Sequence, residues 1–126
     1  VNTQWELIRW NLAPNQFGEV RARNLGPETN LTKIQMQFDS AGKRLSGFAG
    51  CNRFSAEIIE DSRGMTLDKI AATRMACSEQ SMQIENDFLY QLRDYRTMVR
   101  DGDRLLLIGQ DREVLSFSQR IKAGTP

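Results

Sequence analysis

The strongest constraint on the fold is a series of short segments in which polar and apolar residues alternate, each closed by turn residues. In residues 33–38 the alternation is strict and places three apolar side chains on one face. Residues 39–42 supply turn chemistry, so residues 43–49 are expected to return as the second arm of a hairpin. The same reasoning predicts strands over residues 5–10, 53–60, 65–67, 95–100, 104–108 and 114–117, and one in the weaker region near residues 17–22.

One segment has helical spacing instead. Ser78 is expected to cap the helix, Glu79 suits its positive end, and Arg93 suits its last turn. Between them, Met82, Glu85, Phe88, Leu89 and Leu92 recur at helical intervals. Because helices are missing between the other strands, a parallel βαβ arrangement is disfavoured. The expected fold class is therefore α+β, mainly β: a curled or barrel-like antiparallel sheet with one helix packed on it.

Length and composition narrow the classes of protein that remain. The chain has 126 residues, which predicts a single domain over residues 3–120 and a frayed tail over residues 121–126. We expect a mobile loop over residues 24–30, because this segment contains the turn-forming residues Gly26 and Pro27. The first residues lack the pattern of a targeting segment. Export of the protein, with a lipid anchor before Val1, remains an open possibility.

Several chemistries are excluded by composition. The chain has no histidine, so a Ser-His-Asp triad, a Cys-His dyad and a His-ligated zinc site are ruled out. A net charge of +1 argues against a strongly electrostatic nucleic-acid partner. No run approaches the roughly 18 apolar residues of a membrane span. We expect no cofactor, no metal and no enzymatic activity.

Cys51 and Cys77 are the first candidate residues, and three interpretations are open. A disulfide would close a 26-residue separation and stabilise the fold by roughly 3.5 kcal/mol in the chain-entropy model. Bridges are natural in exported domains, whereas cytosolic cysteines more often stay as buried thiols. A reactive thiol would need a base, which the absence of histidine makes unfavourable. We prefer the disulfide.

Two segments next to these cysteines carry further candidates. Gly50 and Asn52 both tolerate left-handed backbone, which favours a bulge or bend; the alternative is a backbone anion nest with Arg53 beside it. Arg74 is surrounded by small residues and is expected to pair with an acid or with carbonyl groups, or else to hold an anionic ligand. Glu85 is expected on a solvated helix flank, with a buried contact to Arg74 as the alternative.

The remaining carboxylates form no clear pair for acid–base catalysis. The aromatic side chains are expected in the core, although a closed barrel could instead use some of them to line a small apolar cavity. These aromatic residues are Trp5, Trp10, Phe38, Phe48, Phe54, Phe88 and Phe117.

Two motifs, Gly47-Phe48-Ala49-Gly50-Cys51-Asn52-Arg53-Phe54 and Thr73-Arg74-Met75-Ala76-Cys77, resemble those of the META domain, or HslJ-like, family. The opening Trp5-Glu6-Leu7, the helix with Glu85 and the closing strands follow in the family's order, so the resemblance covers about residues 4–118. Residues 12–31 are longer than the corresponding family segment.

The resemblance implies a compact barrel-like antiparallel sheet with one helix, similar to lipocalin-class topologies. It implies an exported protein of the bacterial envelope, in the periplasm or outer membrane and often a lipoprotein. The family is linked to heat-shock induction, novobiocin resistance and motility, and no catalytic residue is established for it. The resemblance therefore assigns a structural role, not a catalytic one, to the motif residues Gly50, Asn52, Thr73 and Arg74 and to the two cysteines.

Two functions follow as hypotheses. The first is a non-enzymatic envelope domain that aids stress tolerance or secretion through contacts with an unknown envelope protein, for which an exposed apolar patch would be the mark. The alternative is a barrel that binds a small apolar ligand, which would need a cavity open at one end.

Overall fold

The structure is a computed structural model that describes residues 3–23, 34–39, 43–62 and 64–119. Within these ranges the chain forms eight strands and one helix. In chain order they are β1 (Thr3–Asn11), β2 (Ile34–Phe38), β3 (Arg44–Ala49), β4 (Arg53–Asp61), β5 (Gly64–Ala72), α1 (Glu79–Asp94), β6 (Tyr95–Asp101), β7 (Arg104–Gly109) and β8 (Val114–Gln119).

All eight strands belong to one antiparallel sheet with the order β5-β4-β3-β2-β1-β8-β7-β6. The strands β2 to β5, and likewise β6 to β8, are successive neighbours joined by short connections. β1 is joined to β2 by the longer segment of residues 12–33 and pairs with both β2 and β8. The sheet curls into a half-barrel whose two edges, β5 and β6, are not paired with each other. The predicted fold class, mainly β with one helix, is confirmed.

The helix begins and ends as the sequence predicts. The hydroxyl of Ser78 accepts a hydrogen bond from the backbone N–H of Ser81 at 3.2 Å, which satisfies one of the free donors of the first turn. At the other end the chain passes directly into β6 at Tyr95. The helix buries five side chains against the sheet: Ile84, Glu85, Phe88, Gln91 and Leu92.

The core lies between the concave face of the sheet and this helix. Phe88 contacts Phe54 and Phe117, with ring centroids 5.6 and 6.3 Å apart. Most of the aromatic residues expected in the core are there, but Phe48 is half-buried and lies outside the main cluster. The sheet contributes most of the remaining buried side chains: Trp5, Leu7, Trp10, Ile34, Met36, Leu45, Ala49, Leu105, Leu107 and Leu115.

The predicted strand near residues 17–22 is wrong. The side-chain oxygen of Asn15 accepts backbone hydrogen bonds from Phe17 and Glu19, and this local turn replaces ladder pairing. Phe17 is consequently 76% exposed, and only Ala22 forms an isolated bridge to β1. The expected loop over residues 24–30 and the expected tail over residues 121–126 lie outside the described residues.

The segment that follows this turn is held against α1. The guanidinium of Arg23 lies over the Trp10 ring, 4.7 Å from its centroid, and pairs with the carboxylate of Asp87 at 2.5 Å. In the part of the chain that the structure describes, no helix has the length and apolar character needed to cross a membrane.

Candidate functional site

The two cysteine motifs meet at the tight corner between β3 and β4. Gly50 adopts a φ of +105°, a backbone conformation that residues other than glycine rarely adopt. The backbone N–H of Ala49 donates to the carbonyl oxygen of Asn52 at 2.9 Å and closes the corner. The predicted bend is therefore present, but only Gly50 has the left-handed backbone, and Asn52 is there for its side chain.

Glu85 on α1 inserts its carboxylate into this corner. Oε1 accepts hydrogen bonds from the backbone N–H groups of Cys51, at 3.3 Å, and Asn52, while Oε2 accepts from Nδ2 of Asn52 at 2.8 Å. The corner is thus an anion nest, and its anion is the chain's own carboxylate. Glu85 is buried, so the predicted solvated flank is wrong; its partners are Asn52 and Cys51, not Arg74.

The carboxamide of Asn52 holds the second motif with its other atoms. Its Oδ1 accepts from the hydroxyl of Thr73 at 2.9 Å and from the backbone N–H of Met75 at 2.6 Å. Its Nδ2 also donates to the carbonyl of Met75 at 3.2 Å. Thr73 exchanges two further bonds with Arg53: its N–H donates to the Arg53 carbonyl at 3.0 Å, and its Oγ1 accepts from the Arg53 N–H at 3.2 Å.

Cys51 and Cys77 form a disulfide that joins the same two segments covalently, with Cα atoms 6.1 Å apart. Cys51 is buried at the corner, whereas Cys77 is exposed just before the cap of α1. We refer to the corner, residues 73–77, Glu85 and this disulfide together as the motif junction. The junction fastens the start of α1 to the sheet.

Arg74 and Met75 are the motif residues whose side chains leave the junction. Arg74 is exposed, and the expected pairing with an acid or a carbonyl is not found among the residues that the structure describes. Met75 is 60% exposed, although its backbone N–H and its carbonyl oxygen are both hydrogen-bonded to the carboxamide of Asn52. These two side chains project beside α1.

A cleft of about 500 Å³ runs between this segment and α1. We call it the motif groove. Its larger apolar lining side chains are Ile70, Met75, Met82 and Leu89. Its exposed charges are Arg74 and Arg93, and the buried Glu85 of the motif junction also lines it.

The sequence reasoning missed part of this groove. Met82 and Glu85 both recur at helical intervals, but Met82 is 40% exposed whereas Glu85, expected on a solvated flank, is buried. The cause is the set of three donors at the corner, which holds a carboxylate in the position that an apolar side chain would otherwise take. The signal present in the sequence was the pairing of an Asn and a Thr in the two motifs, because both side chains can bond backbone groups.

The described residues contain no group of three or more His, Cys, Asp or Glu side chains placed to hold a metal ion. Both cysteines are engaged in the bridge.

The fold and the motif junction together define a class: a small, mainly-β domain in which one disulfide and one buried carboxylate fasten a helix to a curled sheet. A sequence profile of the META domain matches residues 1–122 of the chain. The chain therefore belongs to the META domain family.

Solved structures share this fold. A protein from Burkholderia xenovorans, determined by NMR, is 24% identical, with a TM-score of 0.67 over 95% of this chain and 83% of that one. A DUF4847 family protein from Bacteroides vulgatus is 13% identical, with a TM-score of 0.60 over 94% and 93% of the two chains. A further NMR structure is 21% identical, with a TM-score of 0.54 over 87% of each. At such identities the likeness shows the fold alone. No curated protein matches the chain.

Proposed function

We propose that this META domain is a non-enzymatic domain of the bacterial envelope that acts by binding another protein through the motif groove. The observation that carries the proposal is that some motif side chains are bonded within the junction while others point away from it. Asn52, Thr73 and the cysteines are bound to one another, whereas Arg74 and Met75 present their side chains outward. Side chains held rigidly at the backbone and free at the tip are suited to contact a partner.

The apolar part of the groove supports a protein partner. Met75 and Met82 are 60% and 40% exposed, and both line the groove, so they present apolar surface there. Methionine side chains are flexible and polarizable, so they adapt to the shape of an incoming surface. Burying exposed apolar surface of this kind is the main favourable term in protein association.

The charged part of the groove indicates what kind of partner fits. Arg74 and Arg93 both line the groove, are both exposed, and form no ion pair within the described part of the chain. Arginine binds carboxylates in bidentate fashion and is favoured at interfaces for that reason. The expected partner therefore presents an apolar side chain flanked by acidic residues.

The disulfide supports the envelope as the location. Bridges persist in the periplasm and at cell surfaces, whereas thiols are kept reduced in the cytosol. The proposed role of the domain is one of those associated with the family: stress tolerance, novobiocin resistance, motility or secretion.

The engagement of Glu85 supports a non-enzymatic role. It is a buried carboxylate at the motif junction, and three donors of the fold already occupy its oxygens. A general acid or base needs an oxygen within reach of a substrate proton. In this domain the carboxylate is used to fasten α1.

Site-specific photo-crosslinking tests the groove as a contact surface. A photoreactive phenylalanine analogue at Met75, in the chain expressed in its own bacterium, should give one discrete adduct. Phe17 is the matched control position, because it is also strongly exposed but lies away from the groove. Adding Arg74→Glu to the chain that carries the analogue at Met75 should abolish the adduct. The same adducts from both positions, or an adduct that persists with Arg74→Glu, would contradict the proposal.

Thiol counting tests the location separately. The protein is isolated from its own bacterium under denaturing conditions with an alkylating reagent, and its mass is measured. An unlabelled chain is expected for an exported protein with the Cys51–Cys77 bridge. Two labelled thiols would place the chain in a reducing compartment and refute the envelope assignment.

A further inference from the structure

The concave face of the sheet carries a second cleft that α1 does not line. It has a volume of about 470 Å³ and lies among residues from six strands. We call it the open-end crevice. Its apolar side chains are Trp5, Phe38, Ile58, Met65, Met98 and Leu105. The volume falls in the range of roughly 300–1,000 Å³ that is typical of small-molecule sites.

The crevice borders both edges of the half-barrel. Met65 belongs to β5 and Met98 to β6, and these strands are the two ends of the sheet order. They are bridged by a side chain, since the hydroxyl of Tyr95 donates a hydrogen bond to the carbonyl of Met65. No ladder closes the sheet between β5 and β6, and the crevice lies at the gap between these two edges.

Arg100 brings a positive charge to the concave side. It lies opposite Leu105 in the register of β6 and β7, and directly opposed side chains share one face of a sheet. Its guanidinium carbon is 5.3 Å from the centroid of the Trp5 ring, and its Nε donates to the carbonyl of Gly102 at 3.3 Å. Within the described residues Arg100 forms no ion pair, so its terminal N–H donors are available at the crevice.

We propose that the open-end crevice binds a small amphiphile with one anionic group. The apolar body lies against Trp5 and Met98, and the anionic group accepts hydrogen bonds from Arg100. A charged donor at the border of an apolar cleft is the arrangement that fixes the orientation of such a ligand. Glu60 also lines the crevice, and its negative charge disfavours a ligand with a second anionic group. This site shares no residue with the motif groove and does not depend on a protein partner.

A purely structural role for Arg100 predicts something different. In that role, the inward-pointing charge of Arg100 on the edge strand β6 would prevent the strand from pairing with another chain and would do nothing else. In that case the crevice has no preference for anions, and removing the charge changes self-association but not ligand affinity. The two roles are therefore separated by binding measurements.

The test is a calorimetric titration of the oxidised protein with three compounds that share a ten-carbon chain: decanoate, decanol and decyltrimethylammonium. The two ions are kept below their micelle concentrations and decanol below its solubility limit. Decanoate should bind at one site and about tenfold more tightly than either of the others, as expected for one charged hydrogen-bond pair. Arg100→Gln should reduce decanoate affinity to the level of decanol. Glu60→Gln, the matched change of the other charge, should leave that affinity equal or higher. Equal binding of decanoate and decanol would overturn the anionic assignment, as would unchanged affinity in Arg100→Gln.

A second pair of variants tests the location of the ligand. Met98→Trp fills the crevice and should abolish decanoate binding, whereas Val99→Trp changes the exposed, outward neighbour on the same strand and should not. In the unmodified protein, NMR shifts of the Trp5 indole and the Met98 methyl should move on titration, which keeps the test valid if a variant folds poorly. Shifts confined to other residues, or no saturable binding, would overturn the proposal without affecting the crosslinking result at Met75.

Discussion

At the scale of single residues, the motif junction depends on one amide–carboxylate pair. Asn52 uses Nδ2 toward Glu85 and Oδ1 toward Thr73 and Met75, so its carboxamide cannot be reversed without breaking bonds on both sides. Glu85 in turn accepts from two backbone N–H groups that have no other acceptor at the corner. Asn52 and Glu85 are both buried, so each has a high cost if it loses its partner.

This arrangement predicts that Glu85→Gln destabilises the domain although the side chains have the same shape. One oxygen of the glutamine can still accept from the corner, but its amide nitrogen would face Nδ2 of Asn52, donor against donor. We expect a loss of about 1–3 kcal/mol in the free energy of unfolding, measured by urea denaturation of the oxidised protein. Asn86→Ala, at the exposed neighbouring position, is the control and should change stability by less than about 0.5 kcal/mol. A Glu85→Gln variant as stable as the control would show that the pair contributes little.

At the scale of elements, β3 approaches β2 so closely that one position has no room for a side chain. A Cβ built on Gly47 would lie 1.9 Å from the carbonyl oxygen of Gln35 on β2. That contact involves backbone on both sides, so relief requires the strands themselves to separate.

Gly47→Ala should therefore destabilise the domain by about 2–4 kcal/mol, a cost in the range of overpacked or strained sites. The measurement is the midpoint of urea unfolding together with amide exchange along β2. Ser46→Ala is the matched control, because Ser46 is exposed on the adjacent position of the same strand. Full stability of Gly47→Ala would mean that the β2–β3 hairpin accommodates a wider strand spacing.

The link between the two edge strands has a pH dependence. Burial raises the pKa of Tyr95 above its usual value of 10.0, since a phenolate loses hydration where the hydroxyl is half-buried. A raised pKa means that the neutral form is favoured in the folded state. The corresponding stability is present below pH 10 and is lost as the pH rises through the folded-state pKa.

Tyr90→Phe leaves Tyr95 as the single tyrosine, because the chain has two. Titration of its ultraviolet absorbance should give a midpoint above 10 in the folded protein and a lower one in concentrated urea. The same midpoint in both solvents would show that the Tyr95 hydroxyl is as hydrated in the folded protein as in the unfolded chain.

Strands and helix could be predicted where the pattern that specifies them is local. The β2–β3 hairpin and the three C-terminal strands alternate regularly, and α1 carries its cap in Ser78. The prediction for β5 stopped at residue 67, but the strand runs to Ala72. Its alternation is interrupted because Lys69 has a φ of 52° beside a register shift with β4, which turns the side chains out of phase.

The site was harder to predict than the fold, because its contacts join residues that are far apart in sequence. Asn52 and Glu85 are 33 positions apart, and no local pattern indicates that a helix carboxylate enters a strand corner. Met82 and Glu85 both recur at helical intervals, and hydrophobicity favours the methionine over the carboxylate for the buried face. The disulfide, in contrast, is expected from the presence of two cysteines in the chain, which can be counted without knowing which residues are in contact.

At the scale of the whole molecule, the disulfide determines how firmly the sheet and α1 are joined. Cys51 lies at the β3–β4 corner and Cys77 just before α1, so the bridge closes a 26-residue separation that contains β4 and β5. In the chain-entropy account, reduction should lower the free energy of unfolding by about 3.5 kcal/mol. For a chain of this length that corresponds to a decrease in Tm of about 10–15 °C.

Thermal unfolding with and without reductant measures this loss, and the Cys51→Ala/Cys77→Ala variant is its control. The variant should melt near the temperature of the reduced protein and should not respond to reductant, since the loss arises from the cross-link. The hydrogen bonds of Asn52 with Glu85 and Met75 remain available without the bridge, so amide exchange should increase first at residues 73–78 while β1 and β8 stay protected. A variant that melts well below the reduced protein would instead show that packing of the Cys51 sulfur, not the constraint on the chain, supplies most of the stability of the junction.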